Sequence, residues 1–303
     1  MDRLIEDFLA DCKLRGMSPV SIPHYGAILR RFKAYLGPVT FQEVGKDHLR
    51  GFIEHIRVEG GASPKTVENY FAALSTFYEY LMFEELVPSN PVLPIRKRYI
   101  RRYKDDGDRH ERKLISVDEM GRLVNGTLDI RDRAVIVLLA KTGIRRNELI
   151  TLDLEDVDFV EQSIKLKPTA KRSNRRVFFD DEAAFLLHRW LKIRAGMNHK
   201  GCPALFLNAV GDRLERAGVY NLVINAAARV GLHDPTSQRM EDHFTPHCCR
   251  HWFTTHLRRA GMRREFIQEL RGDARREAID IYDHIDHAEL REAYLACIPQ
   301  LGV

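Results

Sequence analysis

The spacing of apolar residues constrains this chain more than any other feature. It is helical almost throughout and turns to strand-like alternation in one short stretch. Leu4, Phe8 and Leu14 share one side of a helix over Arg3–Arg15. Tyr25, Ile28, Leu29, Phe32 and Tyr35–Leu36 recur at helical spacing until Gly37-Pro38, and Val67, Tyr70, Phe71, Leu74, Phe77, Tyr78 and Leu81 make a third stripe. Ser18-Pro19 and Ser63-Pro64 read as an N-cap followed by proline at the first helical position, with a shorter helix over Asp47–Arg57 between them. These four segments predict a helical bundle whose aromatic stripes form its core. Further on, Ser116 and Glu119 have the spacing of a capping box, and Arg131–Thr142 predicts a strongly apolar central helix ended by Gly143. From Val157 to Phe179 the period becomes two, with breaks at Glu161-Gln162 and Pro168–Asn174, which predicts three short antiparallel strands. Helical spacing returns over Glu182–Arg194, Ala217–Val230, Pro246–Ala260, Arg263–Leu270, Ile279–Ile285 and Ala288–Ile298. The expectation is a mainly α chain: an N-terminal helical bundle, then an α+β domain with a small three-stranded antiparallel sheet.

At 303 residues the chain is long enough for two domains. The first pattern stops at Pro88-Ser89-Asn90-Pro91, and Lys113-Leu114-Ile115-Ser116 reads as the entry to a second body. The expected division is 1–95, a basic connector over 96–112, and 113–303. Charge supports it: residues 1–95 carry 10 bases and 12 acids, 96–113 carry 9 and 4, and 114–303 carry 29 and 27. A net charge of +5 is modest, but a basic strip between two near-neutral bodies suits contact with a phosphate backbone. No run of 18 apolar residues exists to span a membrane, and the opening Met1-Asp2-Arg3-Leu4-Ile5-Glu6-Asp7 lacks the basic start of a signal peptide. Five cysteines without framework spacing fit a reduced compartment, so a cytoplasmic location is expected.

The chemistry-bearing residues come in order. Arg145 follows the helix-ending Thr142-Gly143 and opens a new helix, where Glu148, one turn on, can hold its guanidinium. His247 and Arg250 lie three apart on one helix face, near a start marked by Pro246, with His251 beside them. A lysine-rich hairpin spans Lys167–Arg176, and Tyr282 comes last. A phosphodiester resists nucleophiles because it is an anion, and fixed cations aimed at its equatorial oxygens lower that barrier. Arginine suits this task, since its planar fork binds two oxygens and stays charged. Cys248, Cys249 and the histidines at 243, 247, 251 and 256 could suggest zinc, but adjacent cysteines on a helix cannot easily share one tetrahedral ion. Neither a metal nor any other cofactor is expected.

These residues give the chain a resemblance to the tyrosine recombinases, the phage-integrase and Xer family. The boxes are Thr142-Gly143-Ile144-Arg145-Arg146-Asn147-Glu148-Leu149, then His247-Cys248-Cys249-Arg250-His251, then Tyr282-Asp283-His284. The resemblance covers almost the whole chain. It implies a SAM-like core-binding domain followed by a catalytic domain. It also implies strand cutting through a 3′-phosphotyrosine on Tyr282, with His247 as proton acceptor and Arg145 and Arg250 as electrostatic stabilisers. A hairpin lysine, Lys171 with Lys167 as alternative, protonates the leaving 5′-oxygen in this scheme, and His284 supports the site. Tyr294, beside Leu290 and Leu295, reads as a packing residue. The family's usual Leu-Gly-His is Arg271-Gly272-Asp273 here, so an acceptor replaces a donor. Asp273 is then a site-lining variant that braces an arginine or the tyrosine hydroxyl, while Arg271, Arg275 or His284 supplies the donor. The implied partners are duplex DNA with specific recombination sites and other copies of the chain, forming a tetramer through the C-terminal helix. Helices in the grooves, such as Ala217–Val230, would supply base contacts. The start at the core-binding domain points to a simple Xer-like or plasmid or viral recombinase without an arm-site domain. The rival expectations are a type IB topoisomerase-like relaxing enzyme and a catalytically impaired DNA-binding relative.

Overall fold

The computed structural model describes residues 2–19, 21–100, 113–168, 175–198, 200–237, 239–273 and 285–303. Tyr282, His284, Arg275, Lys171 and the expected helix over Ile279–Ile285 thus lie outside the described residues, apart from Ile285 itself. The chain divides into two compact units, Met1–Arg109 and His110–Val303.

The first unit packs α1 (Asp2–Leu14), α2 (Ser21–Leu36), α3 (Lys46–Glu54) and α4 (Pro64–Phe83) around one apolar core. The aromatic stripes lie in it: Phe8, Phe32, Phe41, Phe52, Phe71 and Phe77 are all fully buried. Ser63 caps α4 by accepting from the Thr66 amide at 3.2 Å, with Pro64 at the first position. At Ser18-Pro19 the helix is assigned from Ser21, yet the amides of Ser21 and Ile22 already donate to the Ser18 carbonyl. The expected helix over Asp47–Arg57 is α3 plus a π-helical turn, His55–Glu59, which keeps Ile56 in the core.

One element departs from the sequence expectation. A fifth helix, α5 (Val92–Tyr99), runs across the expected boundary into the basic connector over 96–112. Pro94 is no obstacle, because it sits in the first turn, where no amide partner is needed. Buried Asn90 secures the start: its amide donates to the Ser75 carbonyl at 3.0 Å and its oxygen accepts from Val92 N at 2.9 Å. Val92 and Ile95 bury, and Arg96, Lys97 and Arg98 form the last turn, where cations oppose the negative end of the helix.

In the second unit, α6 (Val117–Asn125) starts with the expected capping box: Glu119 N donates to Ser116 Oγ at 3.1 Å, and Ser116 N to Glu119 Oε2 at 2.8 Å. The central helix α7 (Ile130–Thr142) is buried from Ala134 to Thr142. It packs against α9 (Asp181–Met197) and α11 (Pro246–Arg259), which lies between two apolar clusters. The short α8 (Arg146–Thr151) follows α7. The strands β1 (Val157–Asp158), β2 (Ser163–Lys165) and β3 (Arg176–Phe178) form one antiparallel sheet in the order β1-β2-β3, with Ile164 opposite Val177. The rest is α10 (Arg216–Arg229), α12 (Arg264–Arg271) and α13 (His287–Cys297).

Lys141 is fully buried on α7, an unusual place for an ammonium. It is compensated by Asp180 at 2.5 Å, Glu182 at 2.6 Å and the Pro299 carbonyl at 2.6 Å. Glu182 also accepts from the amides of Leu301, Gly302 and Val303. This ionic knot fastens the end of the chain to the middle of its own unit.

Candidate active site

Three chain turns bring the arginines together. The first ends α7. Gly143 adopts φ +60°, and a Cβ there would lie 2.3 Å from the Phe253 ring, so both the backbone and the packing of α11 demand glycine. The same turn aims the Gly143 carbonyl at Arg250, whose Nη1 donates to it at 2.6 Å.

The second turn places Arg145 as the residue preceding α8. Its amide donates to Glu148 Oε2 at 2.6 Å and its Nη1 to Glu148 Oε1 at 3.2 Å, the clamp expected from the one-turn spacing. The third turn ends α12. The Arg271 carbonyl accepts from Arg250 Nη2 at 2.6 Å and from Arg145 Nη1 at 3.3 Å, so one oxygen ties both guanidiniums. Arg250 is buried, whereas the Arg145 side chain is 44% exposed. Burial, with the Arg145 and Arg271 charges, pulls Arg250 down to about 9, which leaves it protonated at neutral pH.

Asp273 meets all three arginines. Its carboxylate lies 3.4 Å from Arg250 Nη2, 3.8 Å from Arg145 Nη2 and 3.2 Å from Arg271 Nε. Of the roles read from sequence, bracing an arginine matches this geometry, and the Arg271 side chain is turned to Asp273.

Arg175, not singled out as a site residue in the sequence, belongs to the same cluster. This buried side chain forms a bidentate pair with Glu148, Nη1 to Oε1 at 2.7 Å and Nη2 to Oε2 at 2.9 Å, and donates from Nε to the Leu270 carbonyl at 3.1 Å. Burial alone would raise the Glu148 carboxyl, but the Arg175 hydrogen bonds and charge outweigh it and hold the carboxyl below its ordinary value. A signal was present: Arg175 is in phase with Val177 and Phe179, both buried, so alternation places it on the inner face. Gly272 completes the contact. Its φ is +67°, and a Cβ would meet Arg175 Nη1 at 2.3 Å.

His247 is exposed at the start of α11, and it lines one cleft of about 440 Å³ with Arg145, Arg250, Thr245 and Pro246. His251 is exposed on the same helix. Of the two lysine candidates, only Lys167 lies among the described residues. It pairs with Asp153 and lies 3.4 Å from Asp156 Oδ2; the Asp153 bond raises its pKa. Tyr294 is fully buried, its hydroxyl donating to the Lys141 carbonyl at 2.9 Å, and burial drives its pKa well up. That is a packing position. Cys249 is buried with its thiol pushed up by burial, and among the described residues no three His, Cys, Asp or Glu side chains gather as metal ligands. No described helix is long and apolar enough to cross a membrane.

Comparison with known proteins adds an independent line. Residues 112–289 match the family model described as the phage integrase family, and residues 4–87 match its N-terminal SAM-like domain. The tyrosine recombinase XerC of Herpetosiphon aurantiacus is 29% identical over 299 residues, which cover 95% of this chain and 92% of that protein. XerD of Oceanobacillus iheyensis is 26% identical over 313 residues, covering 99% of each. Among solved structures, a lambda integrase tetramer bound to a Holliday junction shares the fold with a TM-score of 0.70 at 14% identity, covering 96% of this chain and 77% of that one.

Proposed function

The chain belongs to the phage integrase family, and from that premise we propose that it is a site-specific DNA recombinase that cuts and rejoins strands through a 3′-phosphotyrosyl intermediate. The observation that carries the reading is the convergence of Arg145 and Arg250 on one carbonyl, beside His247. Two fixed guanidiniums at the mouth of an open cleft suit the non-bridging oxygens of a phosphodiester, whose charge they neutralise as phosphorus becomes five-coordinate.

Tyr282 is the nucleophile in this proposal. A free phenol, with a pKa near ~10, attacks poorly at neutral pH. His247 accepts its proton, and the cationic seat favours the developing phenolate. The O–P bond to Tyr282 forms as the bond to the 5′-oxygen breaks, and a lysine returns a proton to that oxygen. Lys171 takes this role because Lys167 is committed to Asp153 and Asp156. The phosphotyrosyl ester conserves the energy of the broken bond, so rejoining by a 5′-hydroxyl needs no nucleotide cofactor. Glu148 fixes Arg145, and His251 and His284 have the supporting roles that the family resemblance implies. Asp273 holds the arginines in place until a phosphate displaces it.

The partner is duplex DNA carrying specific sites, acted on in the cytoplasm by four copies. Leu290 and Tyr294 of α13 are buried against the chain's own unit. In the proposed tetramer that helix gives up these contacts and docks on a neighbouring protomer. The test is incubation with a nicked suicide duplex containing the native site. Wild-type protein forms a covalent adduct and Tyr282→Phe does not; absence of an adduct in wild type overturns the proposal.

A further inference from the structure

The cleft continues past the two arginines assigned to the scissile phosphate, along Arg146, Asn147, Arg216 and Tyr220. The reaction as derived leaves these residues without a task, although two of them are cations. The Arg146 guanidinium carbon stands 5.5 Å from the centre of the Tyr220 ring, over its face. Such a cation–π contact steadies the guanidinium while leaving N–H groups open to an acceptor. Arg216, the first residue of α10, faces the same space.

What sets this region apart is that no described counter-charge stands beside its cations. Arg145 has Glu148 and Asp273 beside it, and Arg175 has Glu148. Among the described residues no carboxylate lines the cleft, and neither Arg146 nor Arg216 makes an ion pair with a described carboxylate. Burial and the Arg216 charge both lower the Arg146 pKa, so the two cations are held in mutual repulsion. A bound anion relieves that repulsion, which favours ligand over solvent. Arg146 also directly follows Arg145, and consecutive Cα atoms lie about 3.8 Å apart. Two guanidiniums diverging from one backbone point can therefore grip successive phosphates of one strand.

We propose that Arg146 and Arg216, with Tyr220 as the stacking support of Arg146, form a second phosphate seat for the phosphodiester next to the scissile one on the cleaved strand. The proposal rests on the recombinase reading. Its task is positional: a phosphate contact carries no sequence information but fixes the register of the strand, here so that the scissile phosphorus falls between Arg145 and Arg250.

The experiment uses the full chain and a duplex containing its native site, with single phosphates near the cleavage point replaced one at a time by uncharged methylphosphonate. Binding is measured across a salt series for wild type, Arg146→Ala, Arg216→Ala and Arg146→Lys. Each lost phosphate contact reduces the slope of log K against log salt by about 0.9. Each alanine variant is expected to lose a part of that, because the other arginine still faces the phosphate, and Arg146→Lys to keep the wild-type slope. Neutralising the flanking phosphate should weaken wild type several-fold and cost less in either alanine variant. An unchanged slope, or a methylphosphonate penalty equal in wild type and both alanine variants, overturns the second seat. Covalent capture by Tyr282 is scored in parallel, so failure of the recombinase reading is visible separately as a missing wild-type adduct.

Discussion

Glu148→Gln is the most searching test of how this site is held together. The substitution preserves shape and removes one charge. Glu148 is 3% exposed and takes both nitrogens of the buried Arg175 fork, together with the Arg145 amide and guanidinium. A glutamine can still accept on its oxygen, but its amide nitrogen then faces donors, and Arg175 is left as a buried charge without a counter-ion. Breaking a buried pair in this way costs about 3–5 kcal/mol. For a unit of this size each kcal/mol moves the midpoint by roughly 2–4 °C, so a fall of about 6–20 °C is expected. Tryptophan fluorescence reads the right unit, because the only two tryptophans, Trp190 and Trp252, are both buried in the second. The pH dependence gives a second readout. The folded Glu148 carboxyl sits below its unfolded value, so its contribution is complete above the unfolded pKa and is lost as pH falls through the folded one. The gap between wild type and Glu148→Gln should therefore close on acidification. A variant melting within 1 °C of wild type at neutral pH, or a gap that widens in acid, would refute the argument that this carboxylate pair organises the site.

Further outcomes follow from other contacts. Gly272→Ala forces a side chain into the left-handed region, costing about 1–2 kcal/mol, and pushes on Arg175 as well; thermal melting should show at least that loss. Asp273→Asn removes a partly exposed carboxylate from beside Arg145 and Arg250. Affinity for the native site should rise by roughly fivefold, about 1 kcal/mol, and the gain should shrink at high salt, as equilibrium binding at two ionic strengths will show. Tyr294→Phe leaves the Lys141 carbonyl without its donor and should cost about 1 kcal/mol in denaturant unfolding, while the covalent adduct still forms.

Most of the fold was legible because it depends on local periodicity. The stripe through Phe71, Leu74, Phe77 and Leu81, the caps at Ser63 and Ser116, and the alternation through Ile164 and Val177 each state an element and its inner face within a few residues. The exception was α5. Its proline and its run of bases imitate a linker, and its stability comes from Asn90 bonding to Ser75, a contact no local pattern announces.

The same division runs through the site. By itself the sequence determined the residue types, their order and the one-turn clamp of Glu148 on Arg145, since these are properties of neighbours along the chain. Only the tertiary structure decided that Arg145 and Arg250 meet at the Arg271 carbonyl, that Arg175 from the hairpin neutralises Glu148, and that Asp273 sits against both arginines. Those contacts join residues up to 126 positions apart. Their energies depend on burial and on charges from several elements at once, and both exist only after the chain has closed around them.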